Sequence, residues 1–391
     1  MYKPKIIFVD DEPQVLSGLR RALHGRRHEW EMLFFEDPIE ALKTLEQNFF
    51  DILVTDMQMP EMSGLDLIKK VSTQQTGTAC ILLSGYTEKK VVVNSMTLVN
   101  QALLKPVDSA AVIAAIEKCL AISNLPKTIR GKLVSVGSLP GAPLADKELT
   151  KAAKNPKARQ SEFARYVISN PFLVARIIRI ANSPFFGEQM RKFELMEAMR
   201  IVGSPFIKDL IEIGNSEHPE HFPLGVPSEY YDVINDSLEI AILCGEIMKE
   251  MCIEKDDYED AKIIGLLSLI GRLAFYAIDA EKSTLILEQE ELLIEAEKAH
   301  FGIDYATVSA TLMSLWGMPK YVTNAILHHL QPSNSPYPSD LLVALHLAHH
   351  VKGINRPYGK ISSGLKLDHE FLTGSKIGSS YKRIVERFYK V

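Results

Sequence analysis

The sequence predicts an α/β domain with a doubly wound, five-stranded parallel sheet, followed by an all-α domain. Over the first 120 residues, five short apolar runs alternate with segments that have helical periodicity. Strands that alternate regularly with helices are typical of a parallel sheet covered on both faces. A stretch rich in Pro, Gly and Ser follows from Ser123 to Ala145, and nearly every segment from Asp146 to about Val351 then has helical apolar spacing.

The predicted strands of the first domain are continuous apolar runs, which fit a sheet buried on both faces. They are Ile6–Val9, Met32–Phe35, Ile52–Val54, Cys80–Leu83 and, more weakly, Ala102–Leu104. The segments between them place apolar residues three and four apart, as on one face of a helix. These segments are Val15–Leu23, Ile39–Leu45, Leu65–Ile68, Val92–Met96 and Val112–Ile116.

The second half is predicted to be helical. Asn170-Pro171 is a good helix start, with an N-cap residue and Pro at the first position. Further helices are predicted at Glu197–Val202, Glu239–Met251, Ala261–Ile278, Glu288–Ala299, Tyr305–Leu315, Lys320–Leu330 and Asp340–Val351. The predicted boundaries are a first domain at 1–122, a linker at 123–140, a helical domain at 141–351 and a basic C-terminal extension at 352–391.

The composition of the 391 residues is that of an ordinary globular protein. The net charge of −5 argues against a general nucleic-acid binder, which is usually strongly basic. The four cysteines lack CxxC spacing, so reduced thiols in a cytoplasmic protein are expected. The longest apolar stretch, Ile263–Ile278, is interrupted by Arg272 and predicts a buried helix rather than a membrane span.

Polar residues stand at the ends of four predicted strands. Asp10-Asp11 follows the first, Asp56 ends the third, Ser84 ends the fourth and Lys105 follows the fifth. In an open parallel sheet these ends share one edge, where ligands bind. Crowded carboxylates favour a hard cation such as Mg²⁺, and a carboxylate can act as a nucleophile towards phosphorus. Lys105 and Ser84 can bind phosphoryl oxygens.

With these residues in this order, the first 120 positions resemble the receiver domain of two-component response regulators, which has a flavodoxin-like fold. The resemblance rests on Asp10-Asp11, VTDMQMPEMSG around Asp56, LLSGY around Ser84, and Lys105-Pro106. It implies that Asp56 accepts phosphate from a sensor histidine kinase, and that Ser84 and Lys105 bind the phosphoryl group. It also implies Mg²⁺ binding by Asp10, Asp11, Asp56 and the backbone carbonyl of Gln58. One departure is Ala102, since receivers usually carry Tyr or Phe there.

The second half resembles the HDOD domain, a helical relative of the HD phosphohydrolases. The matching segments are RIIRIANSPFFG from Arg176, GLLSLIG from Gly265, HFGIDYATVSATLMSLWGMP from His300 and AILHH from Ala325. HD hydrolases hold a divalent metal with an early His, a His-Asp pair and a late Asp. In this sequence Ser268 and Leu269 stand where the resemblance places the His-Asp pair. The position of the early His falls near Asp236-Ser237, and the position of the late Asp falls at His346 or a neighbour. The resemblance therefore predicts no metal in this domain and no catalysis.

Three functions follow from these patterns. The leading one is a cytoplasmic response regulator whose helical domain binds a downstream signalling protein, with a homodimer possible and no membrane or nucleic-acid partner. The second is a receiver-controlled, diverged HD-type phosphodiesterase, and the third is a DNA-binding regulator.

His346 and His350 have the i, i+4 spacing of metal ligands, although a satisfied polar helix edge is the more common cause of that spacing. The basic extension fits an acidic protein partner, a nucleic-acid partner or a solvated helix face, and the last is the most common cause of such a charge excess.

Overall fold

The computed structural model describes residues 2–74, 77–85, 98–134, 143–154, 160–182, 194–216, 225–251, 255–288, 293–354 and 365–388. Its residues form two compact units. One comprises residues 1–137, 179–189 and 314–317, and the other comprises residues 138–178, 190–313 and 318–391.

The first unit contains the predicted parallel sheet, with strand order β2-β1-β3-β4-β5. All five predicted strands are confirmed, at β1 Lys5–Val9, β2 Glu31–Phe35, β3 Ile52–Asp56, β4 Ala79–Ser84 and β5 Gln101–Leu104. The helices described among them are α1 Pro13–Ala22, α2 Pro38–Gln47, α3 Gly64–Gln74 and α4 Ser109–Leu120. The helix predicted around Val92 and Met96 lies outside the described residues.

The segment predicted to be a linker contains a helix, α5 Lys127–Val134. Ile129 and Leu133 are buried at i, i+4 spacing and form a short apolar helix face. The sequence did not predict this helix because the surrounding Gly and Pro residues indicated a linker. The Arg130 guanidinium bonds a buried carboxylate, with 3.2 Å between Nη1 and Asp51 Oδ1. This helix is therefore part of the first unit's fold.

The rest of the described chain is helical, as predicted. Asn170 caps its helix, because its Oδ1 accepts a hydrogen bond from the Leu173 amide at 3.0 Å. The helices up to residue 288 are α6 Pro143–Lys154, α7 Gln160–Val167, α8 Pro171–Ala181, α9 Leu195–Val202, α10 Ser204–Ser216, α11 Ser228–Glu250, α12 Lys255–Leu267, α13 Ile270–Ile278 and α14 Ala280–Glu288. They are followed by α15 Leu293–Phe301, α16 Tyr305–Leu315, α17 Lys320–His328, α18 Asp340–Ile354, α19 His369–Gly374 and α20 Tyr381–Phe388.

The prediction of one helix at Ala261–Ile278 is wrong, because the chain breaks between α12 and α13 at Ser268 and Leu269. Gly271 then approaches α16 so closely that a Cβ would lie 2.3 Å from the Tyr305 carbonyl oxygen. The Gly271 amide donates to Ser309 Oγ at 2.8 Å. A continuous apolar run conceals such a break, since both helices are buried on nearly all sides.

Two other helix predictions also differ from the structure. The helix predicted from Glu239 begins eleven residues earlier, at Ser228. The prediction at Glu288–Ala299 joined parts of two helices, because Glu288 ends α14 and α15 begins at Leu293.

The C-terminal segment packs against the second unit. Leu372, Tyr381 and Ile384 are buried, and α20 contacts α18. The Ser333 hydroxyl and amide both bond Asp368, which caps α19 by accepting from the Phe371 amide at 3.1 Å. A basic segment therefore covers apolar surface here while its charges face outwards.

One stretch of the described residues, Tyr258–Ile278, is long and apolar enough to cross a membrane by composition alone. Its most apolar window is 89% buried within the fold. That degree of burial is what a core helix shows, and the stretch is also interrupted at Ser268 and Leu269.

Candidate functional site

The register of the sheet brings the predicted carboxylates together. Val9 pairs with Thr55, so the residues that follow them, Asp10 and Asp56, stand side by side. Both are almost completely buried, with exposures of 1% and 6%. Ser84 pairs with Leu104, and the Lys105 amide donates to the Ser84 carbonyl at 2.9 Å. The strand ends thus place these four residues along one edge.

Lys105 connects the two buried carboxylates. Its Nζ lies 2.6 Å from Asp56 Oδ1, 2.9 Å from Asp10 Oδ2 and 3.7 Å from the exposed carboxylate of Glu12. The peptide bond to Pro106 is cis. One ammonium group therefore faces three carboxylates, which leaves an excess of negative charge at this edge.

The charges around Asp56 alter its acidity. Burial raises the pKa of Asp56 above its ordinary value, the hydrogen bond and attraction from Lys105 oppose that rise, and the Asp10 charge adds to it. For Lys105, burial lowers the pKa, but its hydrogen bonds to Asp10 and Asp56 outweigh that effect and the pKa is raised. The lysine is therefore held as a cation beside a carboxylate that is costly to ionise.

The loop after β3 fixes the second oxygen of Asp56. The Gln58 amide donates to Asp56 Oδ2 at 2.9 Å. Within the loop Glu61 has a φ of 65°, a left-handed conformation that is unusual for a residue other than Gly. The loop ends where Gly64 meets β3, since a Cβ there would lie 1.9 Å from the Asp56 carbonyl oxygen. Asp56 is thus held from its strand, its loop and the start of α3.

The donor chemistry of this edge fits a hard divalent cation, because Asp10 and Asp56 converge on one positively charged atom. The half-buried Asp11 follows directly in sequence. Among the residues that the structure describes, however, no three His, Cys, Asp or Glu side chains already form a metal-binding group. The ammonium of Lys105 occupies the point of convergence.

Two further positions that the sequence singled out lie on the neighbouring strands β4 and β5. Ser84 is completely buried at the end of β4. Ala102 is buried in β5, where it pairs with Leu82, so no aromatic ring stands at that position. Tyr86, an aromatic residue two positions after Ser84 and so a candidate to replace the missing ring, lies outside the described residues.

The second unit contains a buried chain of hydrogen bonds that includes Ser268. His329 Nδ1 lies 2.6 Å from the Ile326 carbonyl oxygen, which can only accept, so Nδ1 carries the proton. Burial lowers the pKa of His329 to about 4, so its Nε2 is an acceptor and receives the Tyr305 hydroxyl at 2.7 Å. These two bonds fix the direction of the chain.

The chain continues from Tyr305 to Ser268. The Tyr305 oxygen lies 3.3 Å from His349 Nδ1 and can accept its proton, while His349 Nε2 lies 2.9 Å from Ser268 Oγ. Burial lowers the pKa of His349 well below its ordinary value, so one neutral ring connects the two hydroxyls. Ser268 Oγ is also 2.7 Å from the Gly265 carbonyl, and its proton is shared between the two acceptors.

Two buried ion pairs lie in the same unit. Lys352 Nζ is 3.2 Å from Asp236 Oδ1 and also contacts the Glu239 carboxylate. Arg272 Nε is 2.8 Å from Glu297 Oε1, and its guanidinium lies over the Tyr305 ring at 4.2 Å. Positive charge in this interior is therefore supplied by side chains of the protein.

The histidine pair predicted as a possible metal site does not converge on one point. His346 Nδ1 donates to the His329 carbonyl at 2.7 Å, and its Nε2 accepts from the Asp368 amide at 3.0 Å. His350 Nδ1 bonds the Leu365 carbonyl at 2.8 Å. These bonds attach the C-terminal segment to α18.

Comparison with known proteins assigns both units. A family model of the response regulator receiver domain matches residues 6–117, and a model of the HDOD domain matches residues 139–332. The chain belongs to the response regulators that join a receiver domain to an HDOD domain. The fold class and the two domain families predicted from the sequence are confirmed.

Similar curated relatives match part of this chain. The transcriptional regulatory protein YesN of Bacillus subtilis is 33% identical over 124 residues, which are 30% of this chain and 32% of that protein. GlrR of Escherichia coli is 30% identical over 123 residues, or 30% of this chain and 27% of that protein. The chain thus spans a third or less of their length. The MmoQ response regulator of Methylococcus capsulatus is 20% identical, with a TM-score of 0.49, over 65% of this chain and 99% of that one.

The HDOD residues that sequence reasoning missed lie far apart in the chain. Ser268 was identified, but its partner is His349, which is three residues beyond the predicted His346. Tyr305 and Lys352 carried no signal, since a lone Tyr in an apolar segment and a Lys at a helix end are common. Only the fold brings them together.

Proposed function

We propose that this response regulator is switched by phosphorylation of Asp56. The observation that carries the proposal is the convergence of Asp56 and Asp10 on Lys105, with 2.6 Å and 2.9 Å between the charged atoms. A sensor histidine kinase is the proposed phosphate donor. The receiver is proposed to act in the cytoplasm, where such kinases present their phosphohistidine.

In the proposed reaction an Asp56 carboxylate oxygen attacks phosphorus, an acyl phosphate forms, and the imidazole of the kinase leaves with the bonding electron pair. Lys105 binds a phosphoryl oxygen and the Ser84 hydroxyl donates to another. The Gln58 amide keeps one carboxylate oxygen in place through its bond to Oδ2. Mg²⁺, held by Asp10, Asp11, Asp56 and the Gln58 carbonyl, would screen the negative charge between the carboxylates and the incoming group.

Mass spectrometry after incubation with Mg²⁺ and acetyl phosphate tests this proposal. The full chain is expected to gain the mass of one phosphoryl group, which alkaline hydroxylamine removes because it is an acyl phosphate. Asp56→Asn is expected to lose the gain, since the amide is not a nucleophile. Asp66→Asn, at an exposed carboxylate on α3, is the matched control and keeps it. An equal gain in the Asp56→Asn protein contradicts the proposal.

We further propose that the HDOD unit is a non-catalytic output that binds a downstream protein. Three features of the described residues support this: Ser268 bonds His349, the Leu269 side chain is buried, and Lys352 already pairs with Asp236. An ammonium group beside Asp236 opposes the binding of a divalent cation there. The wild-type interior is thus balanced in charge by its own side chains.

Metal analysis distinguishes a non-catalytic HDOD unit from a diverged phosphodiesterase. Purified full-length protein is expected to hold far less than one equivalent of Mn, Fe, Co, Ni or Zn per chain by plasma mass spectrometry. A chelator is expected to leave thermal unfolding of the HDOD unit unchanged, because no folding energy comes from a metal. One equivalent of metal, together with chelator-sensitive hydrolysis of a cyclic dinucleotide, would favour the phosphodiesterase.

A further inference from the structure

A groove in the HDOD unit lies between the end of α11 and the C-terminal segment. Its volume is about 280 Å³. We call it the C-terminal groove. Its lining consists of an apolar floor, a cationic rim and two further polar residues: Met251, Ile377 and Ile384; Lys376, Arg383 and Arg387; and Glu250 and Ser380. Met251 and Ile384 are buried, at exposures of 6% and 7%, whereas the rim residues are exposed. The groove therefore combines an apolar base with positive charge around it.

The rim cations arise from the amphipathic pattern of α20. Tyr381 and Ile384 are buried, which leaves Arg383 and Arg387 on an outer face at i, i+4 spacing. Lys382 is one residue away and does not line the groove. The groove is thus an ordered surface of the packed helix and not a loose charged tail.

The charges of the rim are only partly compensated. Arg387 pairs with Glu250, and Lys376 Nζ lies 3.6 Å from Asp340 Oδ2. Within the described part of the chain, Arg383 forms no ion pair with a carboxylate. Because Lys376 and Arg387 are each more than 60% exposed, their pairs are weak and can be exchanged for a ligand's carboxylates.

We propose that the C-terminal groove binds an acidic segment of the downstream protein, with one large apolar side chain of that segment on the floor. This rests on the proposed function, since it names the partner's chemistry. Nucleic-acid binding without base contacts relies on phosphate groups, from which an apolar floor gains nothing, so an acidic peptide with an apolar side chain is favoured over nucleic acid. A larger cleft of about 560 Å³ adjoins the groove at Lys376 and gives an extended segment room to continue.

Fluorescence anisotropy of the full chain with the labelled hexapeptide Glu-Asp-Leu-Phe-Asp-Glu tests the proposal. Binding is expected, and Arg383→Glu should weaken it at least about tenfold through like-charge repulsion. Lys382→Glu, the matched control on the same helix, should change it less than about twofold. The peptide with Ser-Ser in place of Leu-Phe should bind at least about fivefold more weakly, because it leaves the floor empty.

Several outcomes overturn the proposal: no binding of the acidic peptide, equal losses in the Arg383→Glu and Lys382→Glu proteins, or equal binding of a labelled thymidine hexanucleotide. Circular dichroism confirms that both variants are folded. Phosphorylation of Asp56 is measured on the same proteins. If Asp56 is phosphorylated but the acidic peptide does not bind, the proposal for the C-terminal groove is refuted and the proposed receiver switch stands. If the peptide binds but Asp56 is not phosphorylated, only the proposed switch is refuted.

Discussion

At the residue scale, the receiver site depends on how one ammonium group is shared. Lys105 lies within 3 Å of both Asp10 and Asp56, and burial raises the pKa of Asp56. Without the lysine, two buried carboxylates would face each other with no cation between them. The lysine therefore favours the ionised form of Asp56, and in the proposed reaction it has a second role in binding the phosphoryl group.

Replacing the lysine tests both roles. Lys105→Met is expected to raise the pKa of Asp56 further, because the hydrogen bond and attraction that oppose the rise are gone. Phosphorylation by acetyl phosphate at neutral pH is expected to slow by about tenfold to a hundredfold. The rate is followed by mass spectrometry and the pKa by carbon NMR of the Asp side chains.

Lys70→Met, at an exposed position on α3, is the control and should leave both quantities unchanged. An unchanged rate in Lys105→Met would show that the lysine has no part in the transfer.

Sequence patterns were informative about these residues because the polar edge of a parallel sheet follows from strand ends. Asp10, Asp56, Ser84 and Lys105 were placed together by that rule, and the structure brings them together. The partners of Ser268 followed no such rule. Its contact with His349 joins two residues that are 81 positions apart in the sequence. No local spacing of residues therefore predicts this contact.

At the scale of elements, α18 is attached to its surroundings through neutral histidines. His346 accepts from the Asp368 amide and donates to the His329 carbonyl, and burial lowers the pKa of His346 to about 4. A histidine whose folded pKa is depressed stabilises the fold fully above its unfolded pKa of about 6.5. That stability is lost as the pH falls towards 4.

His346→Gln is expected to flatten the pH dependence of HDOD unfolding. Each such histidine contributes a slope of up to about 1.4 kcal/mol per pH unit between pH 4 and 6.5, and the variant should lose one such contribution. Urea unfolding between pH 4.5 and 7, followed by far-ultraviolet circular dichroism, measures the slope.

His24→Gln, at an exposed residue of the receiver, should keep the wild-type slope. The same slope in the His346→Gln protein would mean that His346 does not titrate in this range.

Element prediction succeeded where burial and periodicity agreed and failed where they did not. The five strands are short apolar runs, and all five formed. The run at Ala261–Ile278 is buried almost throughout, and its break lies beside the close approach of Gly271 to α16. A close approach between distant elements is a tertiary constraint that a single segment does not carry.

At the scale of the whole molecule, overall composition and charge described the surface better than the interior. The net charge of −5 was visible in the sequence, whereas the interior ion pairs of Arg272 and Lys352 were not. A Lys or Arg is usually solvated, so its burial depends on a carboxylate partner supplied from elsewhere in the fold.

The pairing of Lys352 with Asp236 has an evolutionary consequence. If the proposed non-catalytic function is right, metal binding beside Asp236 would require both new ligands and the removal of the lysine. Removing the lysine first leaves the buried Asp236 carboxylate without its partner, which costs about 3–5 kcal/mol when a buried pair is broken. The two residues are therefore expected to be kept or lost together in the descendants of this protein.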